Sequence, residues 1–596
     1  VRTAIATVSL SGSLTEKLTA ASTAGFDGVE IFENDLLASP LSPEEVRQRC
    51  ADLGLRVDLY QPVRDIEAVP PAQFARNLRR ARHKFRTTQR LGADTVLVSS
   101  SLDGRAVDDD TLAADQLRQL AQSAAEFGLK VAYEALAWGR HVNTYEHAWR
   151  LVRDADHPTL GVCLDSFNIL ARGSDPAGIE EIPAEKLFFL QLADAPLMAT
   201  DVLQWSRHYR CFPGQGGFDL ARLLRHVLAA GYRGPLSLEI FNDVFRQADP
   251  GPTAVDAHRS LIALQESVGL AELPAPPPPT GFAFVELATP DTEAPSSLLT
   301  ALGFARTGTH RTKPVALWER GDARILLNTG AGSRRKGTVL GALGLETEEP
   351  AELAARAEAL LAPVLPRRSD GEDAPPAALA APDGTELLLC ATDRPERPHW
   401  RRDFDRTGQP VPAAPDVHID HVALMQPRHR FDEAALFHRS VLRLAQQGSA
   451  EVADPEGLLY GRALTSGDGG VRIVLTIGPA PSDEAPRVQH VALATDDVLA
   501  AARAFREAGG RLLAIPDNYY DDLAARFELP EQTLAEYREL GILYDEDAHG
   551  TFRHCCTATT GRLFFELTER RNGYRGYGAT DAPVRLAAQR AAESRL

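Results

Sequence analysis

The chain has 596 residues, 44% of them hydrophobic and 24% charged, with a formal net charge of −18. Its length exceeds what one hydrophobic core supports and implies two to four domains, while the acidic balance argues against nucleic acid as a partner, since phosphate binding needs clustered Lys and Arg. No apolar run approaches the about 18 residues of a membrane span, so no membrane association is expected.

The opening VRTAIATVSLSG lacks the charged-then-apolar build of a signal peptide. The six cysteines include no CxxC pair and read as reduced thiols of a cytoplasmic protein. The sequence leaves open an assembly of identical copies.

In chain order, the first 270 residues alternate short apolar runs with helical patterns. The runs are TAIATVSL, FDGVEIF, LRVDLYQP, ADTVLVSSS, LKVAYEAL, LGVCLDSF, LFFLQLAD and LSLEIF. Most are rich in Val, Ile, Leu or Phe, as strands covered on both faces should be. Amphipathic stretches such as SPEEVRQRCADLG and DQLRQLAQSAAEFG separate many of them and end at Gly, a helix stop. Arg76 to Arg90 reads as a solvated helix face. Eight βα units in this length predict an α/β TIM barrel over residues 1–270. An open doubly wound sheet would more often carry a glycine-rich loop after its first strand, and none is present.

In such a barrel the chemistry sits at the carboxyl ends of the strands. Strand five ends with Glu134, strand six with Asp165, strand seven with Gln191 and strand eight with Glu239. Three converging carboxylates in an apolar setting need a cation, and all-oxygen ligation favours Mg²⁺ or Mn²⁺, with Co²⁺ as a third candidate. With QPVRD at 61–65 and SRHYRCFPGQG at 206–216, this half resembles the 3-dehydroshikimate dehydratases of the two-domain bacterial type, within the sugar-phosphate isomerase-like barrels. In most of those barrels a His stands where this chain has Gln191. The resemblance implies conversion of 3-dehydroshikimate to protocatechuate, in quinate and shikimate catabolism. Arg64 and Arg210 are candidates to clamp the substrate carboxylate, and Ser206 to bind a hydroxyl. Where the resembled enzymes have an acid/base His, this chain has Asn168, which exchanges no proton near neutral pH; His141, His208 and Glu30 are the candidate substitutes. A sugar isomerase or epimerase on the same barrel, or a ligand-binding protein without turnover, are the alternative readings.

AELPAPPPPTG at 271–281 is a linker that can form neither helix nor central strand. After it the sequence repeats itself, in modules expected over 282–396 and 416–596. GFAFVELATPD at 281 is echoed by VHIDHVALMQP at 417, and ALGLETEEPAELAARAEAL by QHVALATDDVLAAARAFREAG. This is the pattern of an α+β vicinal-oxygen-chelate double module. His421, His490 and Glu566 form a candidate metal triad for Fe²⁺ or Mg²⁺ in the second module. In the first, Glu286 is matched to His421 and Ala342 to His490, with no acid near Leu389 to match Glu566. This half resembles 4-hydroxyphenylpyruvate dioxygenase. Yet it carries Thr476-Ile477-Gly478-Pro479 in place of Leu-Asn-Glu-Pro, and Cys556-Thr-Ala-Thr in place of Phe-Thr-Lys-Pro. Ile477 is therefore expected to remove a polar substrate clamp and, with it, hydroxyphenylpyruvate oxidation.

Overall fold

Each of the eight apolar runs of the first half forms a parallel strand: β1 Thr3–Ala6, β2 Gly28–Phe32, β3 Arg56–Val63, β4 Thr95–Ser99, β5 Lys130–Glu134, β6 Leu160–Asp165, β7 Leu187–Leu192 and β8 Leu236–Leu238. They pair in sequence order, and β8 returns to β1 to close a barrel, as expected. The computed structural model describes residues 1–330, 337–366, 377–391, 399–414, 417–454, 457–477 and 488–593. The chain forms two units, Val1–Leu273 and Pro274–Leu596.

Strands such as β4 (TVLVS) and β6 (LGVCLD) are buried along their whole length, because one face lines the barrel and the other meets the surrounding helices. Several barrel helices begin where the sequence supplies a side-chain cap. Ser13 with Glu16, and Ser42 with Glu45, form reciprocal capping boxes. The Arg-rich helix Pro71–Leu91 ends at Gly92, whose φ of 76° suits a residue without Cβ; its Arg76, Arg79, Arg80, Arg86 and Arg90 are exposed. Within the barrel, Leu59, Leu97, Ala132, Cys163 and Phe189 form an apolar cluster. All six cysteines are free and buried. Among the described residues no helix is long and apolar enough to cross a membrane.

The second unit holds two sheets. The first contains β9 Gly281–Ala288, β10 Ala305–His310, β11 Val315–Arg320, β12 Ala323–Asn328, β13 Val339–Thr347, β14 Val364–Leu365, β15 Ala377–Ala380, β16 Glu386–Ala391 and β17 Phe404–Arg406. The second contains β18 Ile419–Met425, β19 Ala445–Asp454, β20 Gly457–Thr465, β21 Arg472–Ile477, β22 Gln489–Ala494, β23 Leu543–Glu546, β24 Thr551–Cys556 and β25 Leu563–Arg571. The order β12-β9-β13-β16 in one matches β21-β18-β22-β25 in the other, which is the duplicated vicinal-oxygen-chelate arrangement.

Strand register corrects one expected match. Glu286 pairs with Ala342 as Ala423 pairs with His490, and Val285 pairs with Ile325 as Val422 pairs with Ile473. Phe284, two residues before Glu286, therefore stands where His421 stands. Ala342 occupies the place of His490. Leu388, paired with Gly344 as Glu566 is with Ala492, occupies the place of Glu566. Phe284, Ala342 and Leu388 belong to one apolar cluster with Trp400, so packing fills the first module where donors stand in the second. Glu286 instead accepts a hydrogen bond of 2.8 Å from Asn328.

Candidate active site

Glu134 and Asp165 are the last residues of β5 and β6, and Glu239 directly follows β8. All three are buried, and each offers a carboxylate oxygen within 4.8 Å of the others. Ser99 donates to Glu134 over 3.1 Å. Asp165 also caps the short helix Ser166–Ala171, accepting from the backbone of Phe167 at 2.7 Å and Asn168 at 3.2 Å. That leaves its other oxygen facing the cluster.

Arg210 lies inside this group rather than beside it. Its Nη1 is 2.8 Å from Asp165 Oδ2 and 3.2 Å from Glu239 Oε2, and its Nε and Nη2 both donate to Ser206 Oγ. Ser206, expected to hold a substrate hydroxyl, thus holds Arg210. Burial opposes the guanidinium charge, but Asp165, Glu239 and Glu134 outweigh it and raise the Arg210 pKa. Burial, with repulsion from Asp165 and Glu239, pushes the Glu134 carboxyl well above its ordinary range. One guanidinium against three carboxylates leaves a net charge of two negative units when all are ionised, which a divalent cation balances.

Asn168 Nδ2 donates to Glu134 Oε1 at 2.8 Å and Asp165 Oδ2 at 3.1 Å, while its Oδ1 accepts from the Ala137 backbone at 3.0 Å. Gln191 is fully buried. Its Nε2 donates to Glu30 at 2.6 Å, and its Oε1 faces the Cys163 thiol at 3.5 Å. Glu30 also accepts from Gln61 at 2.8 Å and from Ser237. Burial first, and Glu239 second, push its carboxyl well above the ordinary range.

The two candidate histidines bond elsewhere: His141 Nε2 meets the Ala106 carbonyl at 3.0 Å, and His208 pairs with Asp243 at 2.7 Å. Arg64, just past β3, is half-buried and has no hydrogen bond or ion pair among the described residues. Arg207 escaped the sequence reading. It lies in the helix Val202–His208 with its guanidinium carbon 4.6 Å from the centre of the Phe241 ring and 5.5 Å from that of Trp138. Its spacing of three from Arg210 is the one sequence feature that links it to the site.

In the second unit His421, His490 and Glu566 converge. The two Nε2 atoms are 3.2 Å apart, and Glu566 Oε2 lies 3.4 Å from His421 and 3.2 Å from His490. His421 is oriented by Asp420 at 2.7 Å, itself gripped by Arg570 through two contacts of 2.8 Å. Sequence reading missed His554, which pairs with Glu566 through its Nδ1 and with Asp581 at 3.1 Å through its Nε2. Burial pulls His490 down to about 4, so it is neutral and able to ligate. The triad opens on a cavity of about 440 Å³ whose walls on β21 are Val474 and Thr476. Ile477 turns to the opposite face of that strand, so it does not replace a clamp in this cavity; Gly478 and Pro479 lie outside the described residues.

Residues 18–264 match the xylose isomerase-like TIM barrel family, 275–338 the N-terminal part of hydroxyphenylpyruvate dioxygenase, and 418–546 the glyoxalase/bleomycin resistance protein/dioxygenase superfamily. The chain is 45% identical to the 3-dehydroshikimate dehydratase of Pseudomonas aeruginosa, over 98% of this chain and 97% of that protein. It is 43% identical to that of Pseudomonas putida, over 99% and 98% respectively. A solved structure described as a xylose isomerase-like TIM barrel/4-hydroxyphenylpyruvate dioxygenase fusion protein matches with a TM-score of 0.90 at 41% identity, over 100% of both chains.

Proposed function

The chain belongs to the two-domain 3-dehydroshikimate dehydratases, and we propose that its barrel removes water from 3-dehydroshikimate, giving protocatechuate, at Glu134, Asp165 and Glu239. The observation that carries this reading is the convergence of three buried carboxylates with a single guanidinium. The donor set of Glu134, Asp165 and Glu239 fits a hard divalent cation such as Mg²⁺ or Mn²⁺, and Gln191 would join as a fourth donor by turning its amide oxygen from Cys163 towards them. Such a cation supplies positive charge that polarises a ketone and acidifies the adjacent C–H.

The chain's own residues do the rest. The reaction removes the C–H proton beside the ketone and the β-hydroxyl, which leave together as water, and shifts one ring-methylene proton to the ketone oxygen to complete the aromatic ring, so no redox group is needed. Asn168 fixes the directions of Glu134 and Asp165; as a donor to both, it holds the carboxylates and transfers no proton. Arg210 and Ser206 hold Asp165 and Glu239 from the other side. Arg64 is a cation at the mouth suited to the substrate's carboxylate. Incubating the metal-loaded full chain with 3-dehydroshikimate should produce aromatic absorbance; none with Mg²⁺, Mn²⁺ or Co²⁺ would refute the reading.

The second unit we read as a metal-bearing module for stability or assembly, with His421, His490 and Glu566 holding Fe²⁺ or Mg²⁺. With Cys556-Thr-Ala-Thr at the end of β24 where the resembled dioxygenase has Phe-Thr-Lys-Pro, it is expected not to oxidise hydroxyphenylpyruvate, and oxygen uptake with Fe²⁺ and that compound would overturn this.

A further inference from the structure

A substrate carboxylate approaching three buried carboxylates is repelled unless a cation meets it on the side away from them. Arg210 is not available for this, because its guanidinium is already bonded to Asp165, Glu239 and Ser206. Arg207 is differently placed. It rests 4.6 Å from the Phe241 ring centre and 5.5 Å from that of Trp138, and it has no hydrogen bond or ion pair among the described residues. Phe241 stands two residues after Glu239, and Arg210 packs on the same ring at 5.6 Å. The aromatic faces fix the guanidinium by cation–π attraction while leaving its N–H fork free. The Trp138 indole nitrogen is buried without an acceptor, a second unused donor at the same place.

We infer that Arg207, held between Trp138 and Phe241, is the residue that binds the carboxylate of the substrate, with Arg64 as the second cation of that subsite. The planar fork matches a carboxylate with two parallel hydrogen bonds. Arg64, Glu239, Arg210 and Glu134 all act electrostatically on Arg207, so the second cation and the acidic cluster are both within its reach. The loops after β3, β5, β7 and β8 each contribute one member of the subsite. The inference rests on the proposed reaction for its substrate and on the Arg207 surroundings for its position.

The test compares full-length, metal-loaded Arg207→Met and Arg207→Lys with the parent. Loss of a charge-assisted bond of about 1.5–3 kcal/mol should raise KM for 3-dehydroshikimate roughly tenfold to a hundredfold in Arg207→Met, with kcat little changed. Arg207→Lys, which keeps the charge and loses the fork, should fall between. Calorimetric binding of protocatechuate against catechol, which lacks the carboxylate, gives a readout independent of turnover. The parent should prefer protocatechuate, and Arg207→Met should lose that preference. An unchanged KM with the preference retained would overturn the assignment. If the parent itself shows no turnover, the proposed reaction fails, and the calorimetric comparison still decides the role of Arg207.

Discussion

Asn168 donates its side-chain amide to Oε1 of Glu134 over 2.8 Å, so a residue that cannot exchange protons fixes a carboxylate of the acidic cluster. Asn168→Ala leaves Glu134 and the Ala137 backbone N–H without these partners, at a cost of about 1–3 kcal/mol. The expected outcome is a drop in kcat of roughly tenfold or more with a weaker apparent affinity for Mn²⁺, read by titrating activity against metal. Asn168→Asp adds a fourth carboxylate and should be worse. A variant with unchanged metal titration would show that Asn168 does not orient the cluster.

Arg210 neutralises part of the cluster, so Arg210→Met should destabilise the metal-free protein by about 3–5 kcal/mol, the usual cost of leaving buried charges uncompensated. Added Mn²⁺ should restore more stability to the variant than to the parent, because the cation then supplies charge that Arg210 no longer does. Thermal melts with chelator and with Mn²⁺ measure both. An equal Mn²⁺ shift in the two proteins would contradict the shared electrostatic role.

Glu67, in the loop after β3, is buried, and burial pushes its carboxyl up to about 7, against the hydrogen bond from the Ser101 backbone. A raised carboxyl pKa favours the fold while the group stays protonated. This contribution is complete below the ordinary value of 4.5 and is lost as pH rises through about 7. Glu67→Gln should therefore gain stability over the parent between about pH 5 and about pH 8, on the order of 3 kcal/mol. A pH-independent difference in melting temperature would show that this carboxyl does not titrate as described.

Replacing His421 and His490 together by Ala should remove one equivalent of bound metal per chain and leave dehydration of 3-dehydroshikimate intact. Metal analysis beside steady-state kinetics checks this. Loss of dehydration in a variant that melts like the parent would tie the second unit to the reaction.

Much of this was legible in the sequence because strands covered on both faces leave continuous apolar runs, and Glu134, Asp165 and Glu239 interrupt or end those runs. Less legible were features that depend on register or on distant loops. Glu286 and Phe284 lie two residues apart on the same face of β9, so alternation alone cannot say which of them answers to His421; the pairing of β9 with β12 and β13 does. Position 191 was readable as a strand end, but its contacts with Glu30 and Cys163 come from other strands. Arg207 sat unnoticed between Ser206 and His208 because Trp138 and Phe241, which distinguish it, lie far away in sequence. His554 was hidden because its meeting with Glu566 depends on the register of β24 with β25, in which Cys556 and not His554 stands opposite Glu566.

Turnover of 3-dehydroshikimate by the full chain, stripped of metal by a chelator and then reloaded, tests the barrel cluster most directly. The stripped protein should be inactive, Mg²⁺, Mn²⁺ or Co²⁺ should restore formation of the aromatic product, and Glu134→Ala or Glu239→Ala should remain inactive after reloading. Full activity in the stripped protein, or rescue of either variant to the parent rate, would contradict the assignment of Glu134, Asp165 and Glu239 as the metal-holding centre.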